Sequence, residues 1–182
     1  MKNNFNLKKS ITTALMAAVI SVLSPISITI PISPVPISLS TFAIYLTLYI
    51  LGATYGTIST MIYVLLGIIG APVFTGFSGG IGKILGPTGG YIIAYIFMAI
   101  IAGCIIERNY SSGFMCFLGM AIGTIVLYIV GTLWLSHILN MTFIEGLGVG
   151  VIPFIPGDIV KMVFAYIIGK KLRLILSKGG YV

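Results

Sequence analysis

Asp158 and Lys161 stand three residues apart among apolar neighbours. On a helix that spacing puts both side chains on one face. An ionisable residue at membrane depth is costly, so such a pair is a functional-site candidate by default. The competing reading is a structural ion pair that neutralises itself near the interface. An acceptor beside a donor suits a cyclic urea, which offers two N–H groups and one carbonyl. The Asp158 carboxylate can accept from the former and the Lys161 ammonium can donate to the latter. Each hydrogen bond to a charged group contributes about 1.5–3 kcal/mol.

Other reactive side chains are sparse. His137 has no Asp, Glu or Cys nearby at metal-ligand spacing and reads as an interfacial histidine at the end of a span. Glu145 reads as a solvated loop charge. Cys104 and Cys116 lie within or beside apolar runs and read as small buried hydrophobes rather than a disulfide or a metal site. Gly82-Lys83 is followed by Ile84 where a phosphate-binding loop needs Ser or Thr, and Phe77 stands where its first glycine belongs. There is no H-E-x-x-H and no G-x-S-x-G. No catalytic residue, metal site or cofactor is therefore assigned, and the chain carries no machinery of its own to hydrolyse a nucleotide.

The elements that must position Asp158 and Lys161 are membrane spans. The chain has 182 residues, of which 58% are hydrophobic and only 7% charged, against roughly 25% charged in a soluble domain. No charged side chain occurs from Ser10 to Gly82. That run is several times the roughly 20 residues that cross a bilayer. The expected architecture is all-α, a single membrane domain over residues 1–182. Its six transmembrane helices run over about 11–28, 39–51, 55–70, 91–106, 114–135 and 157–176. Lys8 and Lys9 before an apolar run imitate a signal peptide, but the small-residue cleavage pattern is missing, so the segment reads as a retained first span.

Three connections are unusual. Pro25, Pro31, Pro34 and Pro36 make the first an apolar loop that cannot be helical; such a loop is expected to pack on protein or cover a cavity. Gly52 and Gly56 are expected to bracket a very short turn. From Gly76 to Gly90, seven of fifteen residues are glycine, which permits close backbone approach to a ligand. A third loop is expected from His137 to Ile152, with Gly146, Gly148 and Gly150. Small residues four apart, at Ala14 and Ala18, Gly52 and Gly56, and Gly119 and Gly123, allow close helix packing. Trp134 and many of the tyrosines read as interfacial anchors or packing.

Charge sets the orientation. The net charge is +7, from ten basic and three acidic residues. Lys2, Lys8 and Lys9, then Arg108, then Lys170, Lys171, Arg173 and Lys178 fall on one side of a six-span chain. By the positive-inside rule that side is cytoplasmic, with both termini. Nucleic-acid binding is the weaker reading of this charge. The three unusual loops then gather on the outer side, where ligand is expected.

Four segments, in order, resemble the BioY family, the biotin-specific substrate-binding component of energy-coupling-factor transporters. They are Pro34-Val35-Pro36-Ile37-Ser38-Leu39-Ser40-Thr41; Tyr63 to Gly67 with Gly70-Ala71-Pro72-Val73-Phe74; Leu85-Gly86-Pro87-Thr88-Gly89-Gly90-Tyr91; and Pro153-Phe154-Ile155-Pro156-Gly157-Asp158 with Lys161. The resemblance covers nearly the whole chain. It implies a six-helix fold in a prokaryotic cell membrane, with biotin bound near the outer surface under covering loops. It implies that Asp158 and Lys161 contact the biotin ring system, and it draws Tyr91 into the binding set. It also implies an energising module of two ATPases and one transmembrane coupling protein, docked at Ala14 and Ala18; ATP is used there. Ser40 stands where the family often has Gln, Ser78 where some relatives have Asn, and Ile92 where some have Arg for the biotin carboxylate. Lys83, with the Ser78 hydroxyl and amides around Gly79 and Gly80, is one candidate for that carboxylate; a carboxylate pointing to water is the other. Rival readings are a binding component for another vitamin, a membrane-embedded enzyme using Asp158, Lys161 and His137, and a purely structural membrane subunit.

Overall fold

In a bilayer every backbone polar group must be satisfied within the chain, and helices do so segment by segment. The computed structural model describes residues 7–178. Its elements are α1 (Leu7–Leu23), β1 (Ser27–Ile28), β2 (Ile37–Ser38), α2 (Ser40–Ile69), α3 (Ile81–Leu85), α4 (Gly89–Arg108), α5 (Gly113–Leu139), α6 (Phe143–Gly150), a 3-10 turn (Ile152–Phe154) and α7 (Ile155–Lys178). Four stretches are long and apolar enough to cross a membrane: Ser40–Ile69, Gly89–Arg108, Gly113–Leu139 and Phe143–Lys178. The first of these doubles back, and α1 adds a further apolar helix. The described residues thus form a bundle of six long helical arms, the all-α membrane fold expected.

The reversal in α2 rests on one residue. Gly52 has φ 77° and ψ −173°, a conformation that penalises any residue with a Cβ. Leu48 and Gly56, four residues to either side, come together: a Cβ on Gly56 would lie 3.2 Å from the Leu48 Cα. Gly52 alone therefore makes the turn. Gly56, expected to bracket it, lies inside the second arm and serves close packing. Both loose helix ends are closed by charged side chains from other helices. Glu107 Oε2 accepts from the Ala53 amide at 2.7 Å, and Arg173 Nη1 donates to the carbonyls of Tyr49 at 3.0 Å and Ile50 at 3.2 Å. A carboxylate at a helix start and a guanidinium at a helix end also complement the helix dipoles.

Three other expectations are corrected. The first span ends at Leu23, not Ile28. Pro25 removes a backbone donor, and Ser27–Ile28 instead pairs antiparallel with Ile37–Ser38, which turns the proline-rich segment into a small hairpin. The loop expected over residues 137–152 is mostly helix. α5 runs on to Leu139 and stops at Asn140 in the left-handed conformation (φ 52°), and α6 then starts with a capping box between Thr142 and Glu145. Glu145 is thus a helix cap, and the amide and hydroxyl of Thr142 hold its carboxyl below the usual carboxylate range. Cys104 is exposed on α4, while Cys116 is buried.

The core is aromatic and sulfur-rich: Tyr45, Tyr49, Tyr63, Phe74, Met98 and Met120 are fully buried. Glycines let the helices close on it. Gly119 and Gly123 of α5 pack against Ile105 and against Ala102 and Met98 of α4, so this pair serves intramolecular packing. Leu7, Gly52, Arg108, Gly113 and Lys178 gather at one end of the bundle. The hairpin, the glycine-rich segment, α6 and the start of α7 gather at the other.

Gly52→Ala should lower stability by about 1–3 kcal/mol, the cost of a strained backbone conformation. The added Cβ also meets Glu107 Oε2 at 3.0 Å. Thermal unfolding of the purified protein checks this, and a melting temperature equal to that of the wild type would contradict it.

Candidate functional site: a buried ion pair beneath the proline hairpin

The sequence Ile152-Pro153-Phe154-Ile155-Pro156-Gly157 turns from the 3-10 turn into α7 and sets Asp158 in the first helical turn. Proline is well tolerated there, where amides have no intrahelical partner. The positive end of the helix favours the carboxylate. Asp158 is only 5% exposed. A carboxylate at such depth needs donors, and three helices supply them. Lys161 Nζ donates to Oδ1 at 2.9 Å. The Tyr128 hydroxyl of α5 donates to Oδ2 at 2.6 Å. The Thr41 hydroxyl of α2 donates to Oδ1 at 3.3 Å. Asp158 therefore joins α2, α5 and α7 at a single point.

Above this point lies a cavity with about 360 Å³ of empty space, mouth included. Val35, Pro36 and Ser38 of the hairpin arm roof it. Thr41, Tyr91, Tyr95, Leu127 and Tyr128 form its sides, with Gly150 and Phe154 at the junction of α6 and α7. The hairpin arm is itself fixed, because Ser38 Oγ donates to Ser40 Oγ at 2.9 Å and accepts from the Ser40 amide. Tyr91 reaches across the bundle and donates to the Gly150 carbonyl at 3.0 Å. It can do so because Gly131 leaves room for its ring. Below, the Tyr45 hydroxyl donates to the Met120 carbonyl at 2.8 Å, so the polar floor is satisfied. The cavity is mostly aromatic and aliphatic, with one charged pair converging on it, a common form for a small-molecule site.

Of the residues expected to bind ligand, the fold brings Asp158, Lys161 and Tyr91 together in this cavity. Ser78, Gly79, Gly80 and Lys83 stand outside its wall. Their segment is occupied with its own folding. Ser78 Oγ donates to the Thr75 carbonyl at 2.8 Å, and the Gly80 amide donates to the Gly67 carbonyl at 2.7 Å. Gly79 lies so close to the Ala71 carbonyl that no Cβ would fit. Lys83 is half-buried on α3, and its ammonium makes no hydrogen bond or ion pair among the described residues. His137 is exposed at the end of α5, away from the ion pair. Trp134 donates from Nε1 to the Gly86 carbonyl at 3.0 Å, tying the glycine-rich segment to α5. Ala14 and Ala18 are both exposed on one face of α1.

Tyr128 is a member of the site that sequence reasoning missed. It is one of several tyrosines in apolar spans, and nothing local ties it to an acid 30 positions later. Thr41 closes a segment already singled out, but its contact with Asp158 spans 117 positions.

The same arrangement of helices exists in a solved protein. The crystal structure of the S-component for biotin from an ECF-type ABC transporter superposes with a TM-score of 0.86 at 35% identity, over 95% of this chain and 94% of that one. A probable biotin transporter BioY of Pyrococcus horikoshii is 43% identical over 162 residues, 88% of this chain and 93% of the relative. The biotin transporter BioY of Lactococcus lactis subsp. cremoris is 35% identical over 187 residues, 100% of this chain and 97% of the relative. That of Thermotoga maritima is 37% identical over 146 residues, 80% and 85% of the two chains. With the ion pair, the roofed cavity and the bundle in place, and with the BioY family model matching residues 1–178, the chain belongs to the BioY family.

Proposed function

We propose that this chain captures biotin at the outer face of a prokaryotic cell membrane, as the substrate-specificity subunit of an energy-coupling-factor importer. The observation that carries the reading is the buried Asp158–Lys161 pair, 2.9 Å apart, in a roofed cavity. Biotin's ring system ends in a cyclic urea. Its N–H groups match the Asp158 carboxylate and its carbonyl matches the Lys161 ammonium. Tyr128 and Thr41 hold the carboxylate in position before ligand arrives, which lowers the ordering cost of binding. The aromatic walls from Tyr91 and Tyr95 suit the apolar part of the bicycle. The names of the relatives point to the same ligand. The ligand is carried unchanged, so no catalytic group is required.

Lys83 remains the proposed partner of the biotin carboxylate. Besides Lys161 it is the one cation at the outer end among the described residues. The Ser78 hydroxyl and the Gly80 amide, expected to help it, already donate to the Thr75 and Gly67 carbonyls. Energy comes from a separate module, a transmembrane coupling protein with two ATPase subunits, which docks on the Ala14 and Ala18 face of α1. Small side chains there allow another helix to approach closely.

Asp158→Ala or Lys161→Ala leaves a buried charge unpaired, at a cost of about 3–5 kcal/mol. Biotin affinity should fall by about two to three orders of magnitude. Tyr128→Phe should weaken binding by about tenfold. Equilibrium binding to the folded variants checks both, and affinities within a few-fold of wild type would remove these residues from the site. Stronger binding of a different vitamin in the same assay would favour the rival substrate.

Ala14→Trp or Ala18→Trp should abolish uptake by the assembled transporter while the isolated subunit still binds biotin. Loss of binding with normal assembly would refute the docking assignment.

The basic-residue asymmetry supports a topology with both termini in the cytoplasm. Cysteines introduced at Ser33 or Leu147, in a background without Cys104 and Cys116, should react with an impermeant reagent from outside. One at Ser112 should not; labelling there instead would invert the orientation.

A further inference from the structure

At the end of the bundle opposite the ligand cavity, the last turns of α7 and the connection between α4 and α5 enclose a second cavity, with about 570 Å³ of empty space, mouth included. Its wall carries Lys170, Arg173, Tyr110, Ser111, Ser177 and Leu174. Two cations face it and, among the described residues, no carboxylate does. Glu107 lies beyond Arg173 and Tyr110, in the adjoining cavity around Gly52, where it is held by the Ala53 amide.

Arg173 is rigidly placed. Its guanidinium carbon sits 3.5 Å from the Tyr110 ring centroid, and its Nη1 is spent on the carbonyls of Tyr49 and Ile50. Its Nε and Nη2 have no partner among the described residues. Lys170 lies 5.6 Å from the Tyr166 ring centroid and is exposed. The Tyr110 hydroxyl is buried without a hydrogen-bond partner among the described residues. A fixed fork of guanidinium donors, a lysine point charge and the Ser111 hydroxyl on the wall are elements of a phosphate site.

What lies beside the cavity decides which phosphate. Leu174, Ile167 and Val160 follow at seven-residue spacing on one face of α7, and they are 58%, 56% and 53% exposed. This apolar stripe leads from the cationic cavity along the bundle toward its other end, as an acyl chain would. The opposite face of α7, at Leu172 and Leu176, packs with Met16 of α1 and Leu46 and Ile50 of α2. The cavity therefore opens away from α1 and its exposed alanines. We infer that it is a headgroup site for an anionic phospholipid of the cytoplasmic leaflet, with the acyl chain along Leu174, Ile167 and Val160. Basic pockets between helices on that side are suited to such lipids. The inference rests on the membrane orientation proposed above, but it does not depend on which vitamin is bound.

The test uses the full chain in phosphatidylcholine nanodiscs with and without a minority of phosphatidylglycerol, read by native mass spectrometry after gentle release. Wild type should retain phosphatidylglycerol in preference to phosphatidylcholine. Lys170→Glu and, separately, Ser111→Asp should lower that retention by about tenfold, equivalent to about 1.4 kcal/mol, with biotin affinity unchanged. Lys8→Glu, the same charge change on α1 and away from the cavity, should have little effect. Equal retention of both lipids, equal losses in Lys170→Glu and Lys8→Glu, or full displacement of the lipid by inorganic phosphate would each overturn the inference. Loss of biotin binding in wild type would instead count against the proposed function and leave this result standing.

Discussion

A carboxylate withdrawn from water into an apolar bundle must be held by donors, and that demand organises the half of this protein that holds the cavity. Asp158 receives one donor from each of α2, α5 and α7. The three helices are remote in sequence, so the acid acts as a keystone rather than a local ion pair. Its partner Lys161 alone would neutralise it; the hydroxyls of Thr41 and Tyr128 satisfy its remaining lone pairs. A buried pair adds little net stability unless its geometry is good and its other hydrogen bonds are made. Here those conditions are met by Lys161, Thr41 and Tyr128 together.

The opposite end solves a related problem with different parts. Reversing a helix inside a membrane protein exposes carbonyls on one side of the turn and amides on the other. At Gly52 both sets are capped from a distance, by Arg173 on α7 and Glu107 on α4. Glu107 near the end of α4 and Arg173, one of four basic residues near the end of α7, thus close the turn in α2. The same contacts fix the relative heights of the helices that later frame the ligand cavity.

The coarse architecture was legible because it depends on composition and on runs of apolar residues, which the bilayer dictates. The Asp158–Lys161 pair was legible because a charge in such a run stands out and a three-residue spacing fixes a shared face. What was not legible depended on distant contacts. Tyr128 looks like any other tyrosine of an apolar span until α5 is placed against α7. The glycines of residues 76–90 suggested ligand approach, yet Gly79 and Gly90 are small because Ala71 and Trp134 lie against them. The helix at 143–150 was hidden by Gly146, Gly148 and Gly150. Two of these are small so that Ser136 and Tyr91 can reach their backbone, and the start of the helix is marked by Thr142 and Glu145, a cap that reads as loop chemistry.

The first arm of α2, Ser40 to Leu51, rises only about 18 Å, while a bilayer core is about 30 Å thick. The outer part of the space it could have filled is taken instead by the hairpin and the cavity beneath it. The ion pair therefore sits on the floor of the cavity beneath that hairpin. Asp158 is buried there, and a hydrogen bond in such a low-dielectric place is worth more than the same bond at the surface. A molecule that reaches the floor with its donors and acceptor correctly arranged is held strongly, and one with a single group misplaced must bury it unsatisfied. The truncated helix thus turns chemical mismatch into a large energetic penalty, and so provides discrimination that a shallow site with the same residues would lack.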